Sequence, residues 1–185
     1  MAHTLRRTDL FSMKNSNEIR AMTFMSMMLG VAVVLTYLES LLPPLPFAPP
    51  GIRLGLANVV VMYTLFFVGK KHAFMLIVLK SVFVILTRGV LAGVLSITGG
   101  VLSISVIIVL HLFTKKTSYI LLSSAGAITF NFGQMAAASL ILHTNILALY
   151  WPLIIIFGVM LGSITGKVLE IVIPYMQKII SSFKT

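Results

Sequence analysis

Residues 43–58 read PPLPFAPPGIRLGLAN, and five of the seven prolines in the chain fall between Pro43 and Pro50. Proline removes a backbone donor and fixes φ, so this stretch is not ordinary helix. A rigid, extended connection is expected instead. Long apolar runs flank it on both sides. A stiff cap between two such runs reads as a loop joining two membrane spans. Arg53 follows at the mouth of the second run, and Asn58 lies just inside it. A charge beside a stiff lid is the first place to look for a ligand.

Working outward, the composition supports the same class. The chain has 185 residues, 58% hydrophobic and 10% charged, with a mean hydropathy of +1.06. Apolar runs of about 20 residues recur, the length that crosses a bilayer core. The strict alternation of a β-barrel is absent. The expected fold class is an all-α membrane protein of six transmembrane helices. The net charge of +10 sits in short clusters between the runs, where basic residues set topology. It is therefore not read as a nucleic-acid signal. With no cysteine in the chain, disulfides, thiolate metal sites and thiol nucleophiles are excluded. No cleavable signal peptide is expected, because the first apolar run is too long and no clear small-x-small site follows it.

The spans are expected at about Arg20–Leu42, Leu54–Val68, His72–Leu91, Val94 to just before Lys115, Tyr119–Leu142 and Leu149–Ile173. Gly99-Gly100 falls inside the fourth and predicts a kink or locally unwound turn. Three domains follow: a basic tail at 1–19, a helical membrane domain at 20–175 and a short tail at 176–185. The N-terminal tail, Lys70-Lys71, Lys115-Lys116, Lys178 and Lys184 then share one side, so both termini are expected in the cytoplasm.

An ionisable residue inside a span costs at least about 2.5 kcal/mol and needs a reason. Lys80 is expected near the bilayer midplane, roughly 13 Å from the Lys70-Lys71 turn. It is either a structural partner for Glu39 or helix-end carbonyls, or a ligand-binding residue. Arg53 and Arg88 lie near the outer boundary, where snorkelling is the alternative to binding. If these cations converge beside Glu39, the surplus charge suits a carboxylate or phosphate. Asn58, Asn131 and Gln134 either bond between helices or read the polar edge of a ligand. Ser26 and Gly30, one turn apart, allow close approach of another helix.

His3, His72, His111 and His143 are scattered, with no metal-site spacing. Asp9 is the only aspartate, so the clustered aspartates that hold magnesium on a diphosphate are missing. There is no phosphate-binding glycine-lysine loop and no nucleophile elbow. Binding or transport is favoured over catalysis, and no cofactor is expected in this chain.

Three blocks carry a family resemblance. The first is Pro50, Gly51, Arg53, Leu54, Gly55, Leu56, Ala57 and Asn58. The second runs from Lys80 through Gly89 to Gly99, Gly100 and Ser103. The third is Asn131, Gly133 and Gln134. Together they resemble the bacterial family described as heptaprenyl diphosphate synthase component I, or Gx transporter, over about residues 20 to 175. Arg53 stands where that family often has lysine. The family is similar in size and topology to substrate-binding S-components of energy-coupling factor (ECF) transporters.

That resemblance implies capture of a small anionic or polar molecule from the outer side of a bacterial cytoplasmic membrane. The ligand-facing residues would be Arg53, Asn58, Lys80, Arg88, Asn131 and Gln134, with Glu39 as their charge partner. Ser26 and Gly30 would face a membrane coupling subunit, with ATP used by a partner ATPase pair. The alternative it implies is a non-catalytic membrane subunit that accompanies a prenyl diphosphate synthase. A standalone transporter is a third reading, disfavoured by the short chain and the lack of an inverted repeat.

Overall fold

Burial identifies α2 (Leu56–Phe67) as the centre of the bundle: Ala57 and every residue from Val59 to Leu65 are buried. A helix apolar on all sides finds a stable place only when other helices surround it. The computed structural model describes residues 2–41, 55–113 and 118–182. The other helices are α1 (Ala2–Leu41), α3 (Lys70–Arg88), α4 (Val90–Phe113), α5 (Tyr119–Ile141) and α6 (Ile146–Ser182). All regular secondary structure among the described residues is helical.

The helices pack in sequence order, α3 on α4, α4 on α5 and α5 on α6, and α2 closes the ring between α3 and α6. α1 lies against α2 and α3. Its contact is a narrow stripe of buried Met25, Met28, Ala32 and Thr36, at the three- and four-residue spacing of one helix face. The core joins Met28, Val60, Tyr63, Leu76, Ile104, Leu122 and Leu169, with contributions from all six helices.

The α5–α6 seam is the tightest. Gly158, Gly162 and Gly166 form a column on α6 at four-residue intervals. A Cβ on Gly162 would lie 2.3 Å from Ser124 Cα, and one on Gly166 would lie 2.6 Å from Ile120 Cα. Small residues at this spacing let two helix backbones touch. Ser123 and Thr165 then share a hydrogen bond of 2.7 Å across the seam. Between α3 and α4, Ser81 Oγ donates to Ser96 Oγ at 3.2 Å.

Three stretches among the described residues are long and apolar enough to cross a membrane: Met22–Leu41, Val90–Phe113 and Leu147–Tyr175. Large apolar side chains, including Leu86, Leu112, Phe113, Leu140 and Leu149, point away from the bundle. A bilayer is the solvent that suits such a surface. The protein is a helical membrane protein.

Several expectations about element ends change. The apolar stretches Met22–Leu41 and Leu147–Tyr175 match the expected first and last spans, but the helices that carry them are longer, from Ala2 in α1 and to Ser182 in α6. α4 starts at Val90 rather than Val94, directly after Gly89. Gly89 alone joins α3 to α4 at φ 90°, a conformation open to glycine because it lacks Cβ. No unwound turn forms at Gly99-Gly100, and α4 runs through both. Their missing side chains serve packing: a Cβ on Gly100 would lie 2.7 Å from Ile77 Cγ2 of α3. The Pro43 to Pro50 lid, Arg53 and the Lys115-Lys116 pair lie outside the described residues.

Candidate functional site

The first turn of α2 brings α1, α2 and α3 together. Gly55 precedes it at φ 76°, a left-handed conformation that suits glycine. Its amide donates to Glu39 Oε1 of α1 at 2.8 Å. A carboxylate there also favours the positive end of the α2 dipole. The expected charge partner thus holds the start of α2.

One turn on, Asn58 Oδ1 accepts a hydrogen bond from Lys80 Nζ of α3 at 3.2 Å. Lys80 is only 5% exposed. Its ammonium also lies over the Phe130 ring of α5, 5.3 Å from the centroid. That attraction is worth about 2 kcal/mol when water is excluded. A buried ammonium is costly, so a polar acceptor and an aromatic face around it are what the chemistry demands.

α5 supplies the opposite wall. Asn131 and Gln134 are buried at 2% and 4% exposure. Asn131 Nδ2 donates to Ala127 O at 3.0 Å. Gln134 Nε2 is buried with no hydrogen-bond partner among the described residues. Phe130 and Gln134 are placed by a bare patch on α4. A Cβ on Gly99 would lie 2.7 Å from Phe130 O and 2.8 Å from Gln134 Cγ. Gly133 faces the same patch, its Cβ position 3.0 Å from Gly99 Cα.

Counting along the helices places Lys80, Gly99 and Gln134 at a common depth. Lys80 is eight residues from Arg88, Gly99 is nine from Val90, and Gln134 is seven from Ile141. Each distance is roughly 10–14 Å of helix. A cavity of about 20 Å³ opens beside Asn58, between Gly55, Met62, Ser103, Ser123 and Thr165. It has room for about one water.

The structure therefore joins Asn58 to Lys80 and Lys80 to Phe130, with Glu39 at Gly55; Asn131 and Gln134 are buried next to and one turn beyond Phe130 on α5. Arg88 is not in this group. It is exposed at the end of α3, and its Nη2 donates to Thr36 O of α1 at 3.4 Å. Ser26 and Gly30 are exposed on α1. A Cβ on Gly30 would meet nothing within 4 Å, so neither residue serves a helix contact inside the bundle.

One contributor escapes a reading of polar residues alone. Phe130 reads as one more apolar residue in an apolar helix, yet it carries the Lys80 ammonium. Further along α2, Tyr63 is 2% exposed, its hydroxyl has no partner among the described residues, and its ring stacks on Phe67 at 4.8 Å.

No curated protein and no solved structure gives a significant match to the chain. The family described as heptaprenyl diphosphate synthase component I matches residues 28–172, a region that holds the whole buried polar group. The match runs from within α1 into α6. The chain belongs to the heptaprenyl diphosphate synthase component I family.

Proposed function

We propose that this protein is the substrate-binding membrane subunit of a larger transport assembly, an S-component of the ECF type. It captures a small polar molecule from the outer side of a bacterial cytoplasmic membrane and passes it inward. The supporting observation is a buried ammonium, Lys80 of α3, bonded to half-buried Asn58 of α2 and seated on Phe130 of α5, with Asn131 and Gln134 buried on that same helix. Burying an ammonium and two amides is expensive for structure alone. In this reading all six helices cross the membrane with both termini inside, so the site belongs to the outer half.

Energy comes from partner subunits, a membrane coupling protein with two ATPases, which is where ATP acts. Ser26 and Gly30 present a small, exposed patch on α1 suited to a helix of that coupling protein. The family description supports a second reading, a non-catalytic membrane subunit that holds a prenyl diphosphate synthase at the bilayer. With only four acidic residues in the chain, the aspartate clusters of such a synthase must come from the partner.

Purification of the tagged chain from native membranes in mild detergent, followed by mass spectrometry, separates the two. Recovery of an ATPase pair and a membrane coupling subunit, lost in Gly30→Leu, supports the transport reading. Recovery of a prenyl synthase without ATPases overturns it in favour of the second.

A further inference from the structure

We infer that the cavity inside the bundle is a binding site for a single water molecule, held by Ser103 of α4 and Ser123 of α5. The site goes beyond the transport reading and stands under either function.

Five helices wall the cavity: Met62 of α2, Ile77 of α3, Ser103 of α4, Ser123 of α5 and Thr165 of α6 all line it. A space of about 20 Å³ admits one water when two or more polar partners face it, whereas a purely apolar space of that kind stays dry. The hydroxyls on the wall therefore decide the occupant.

Their placement turns on Gly126. Ser103 Oγ donates to Gly126 O at 2.9 Å, and the glycine leaves the wall bare. A Cβ on it would lie 3.2 Å from Ser103 Oγ and 2.7 Å from Ile107 Cδ1. Ser123 comes three residues before Gly126, a spacing that puts both on one face of α5. The two serines thus meet the cavity one turn apart, across that bare glycine.

The proton count says what they take. Thr165 Oγ1 donates to the carbonyls of its own helix, at 3.1 Å from Leu161 O and from Gly162 O. Its neighbour Ser123 Oγ, 2.7 Å away, then donates to Thr165. A hydroxyl has one proton and two lone pairs. Ser103 and Ser123 have both spent the proton on protein acceptors, so each offers the cavity a lone pair. What fits two buried lone pairs is a molecule with two donors. None of the residues lining the cavity is acidic, and Asn58 on its wall already bonds the Lys80 ammonium. A second positive charge nearby would be repelled, so the donor is neutral water.

Solid-state NMR of the isotope-labelled full chain in lipid bilayers tests the site. Magnetisation is passed from water protons and read at the methyl groups of Ile107 and Ala127, which line the cavity and hold no exchangeable proton. Leu76 and Ile154, buried elsewhere, are the dry controls. Transfer is expected at Ile107 and Ala127 and not at the controls. Gly126→Ala fills the space and should abolish it. Ser103→Ala removes one holder without adding bulk, should also abolish it, and serves if Gly126→Ala fails to fold. Absent transfer in the unaltered chain, equal transfer to the controls, or transfer that survives Ser103→Ala overturns the site. A shift of the Ser103 and Ser123 Cβ resonances when sodium replaces potassium at equal ionic strength gives the cavity to a cation and overturns it too. None of these outcomes depends on which partners co-purify, so the water site and the transport reading fail separately.

Discussion

Lys80 of α3 and Asn58 of α2 are joined by a 3.2 Å hydrogen bond inside the bundle, and the ammonium is almost wholly shielded. Removing the two partners has unequal consequences. Asn58→Leu leaves a buried charge short of an acceptor, and a loss of about 1.5–3 kcal/mol is expected. Lys80→Met removes the charge itself and should cost less. Unfolding of both variants in mixed micelles, compared with the double variant, checks this order. The double variant should be more stable than Asn58→Leu alone.

Gly162 and Gly30 are both helical glycines, but only one has a neighbour in the way. Gly162→Ala drives a methyl into Ser124 Cα, and a loss of about 1–3 kcal/mol is expected from overpacking. Gly30→Ala meets nothing within 4 Å and should be neutral or slightly stabilising for the isolated protein. Thermal melting of the two purified variants side by side measures the contrast.

The Ser123–Thr165 hydrogen bond ties α5 to α6 at 2.7 Å. Ser123→Ala and Thr165→Val should show a coupling of about 0.6 kcal/mol, the average for such bonds in membranes. A double-mutant cycle gives the value directly. A coupling near zero would mean that the glycine column alone holds the seam.

Membrane crossing is open to chemical labelling because the chain has no cysteine of its own. Thr144→Cys lies in the exposed α5–α6 turn and Lys71→Cys at the exposed start of α3. An impermeant maleimide added to intact cells should label Thr144→Cys but reach Lys71→Cys only after permeabilisation. Equal labelling of both in intact cells would rule out six crossings with both termini inside.

Much of this arrangement was legible in the sequence, for physical reasons. Lys70-Lys71 and Gly89 mark helix ends because charge and positive φ are hard to place within an apolar helix. Asn58, Lys80, Asn131 and Gln134 stood out because polar groups are costly in lipid, and the fold joins the first two directly and buries the last two on α5 beside the Phe130 that Lys80 meets. Arg88 stood out on the same ground but is placed elsewhere. Eight residues separate it from Lys80, about 12 Å of helix, and its guanidinium reaches α1 instead.

Packing partners were harder to read. Gly99-Gly100 suggests a break when only its propensity is considered, but tertiary contact with Phe130, Gln134 and Ile77 makes it a helical close-packing surface. The Gly158, Gly162 and Gly166 column gives no sign of which helix it meets. Phe130 becomes informative only once Lys80 is seen above it.

The glycine column also has a mechanical consequence. Where two backbones touch, there are no long side chains to change rotamer, so α5 and α6 move as one stiff body with α4 keyed into α5 through Gly99 and Gly133. α1 meets α2 and α3 through flexible Met25 and Met28 side chains, a softer joint. α3 is keyed to α4 in the same manner, through Gly93 and Gly100 and the Ser81–Ser96 bond, so Lys80, Phe130 and Gln134 all ride on the stiff side. Asn58 of α2 spans the division through its bond to Lys80, and that bond is the one a shift of α1 and α2 would strain.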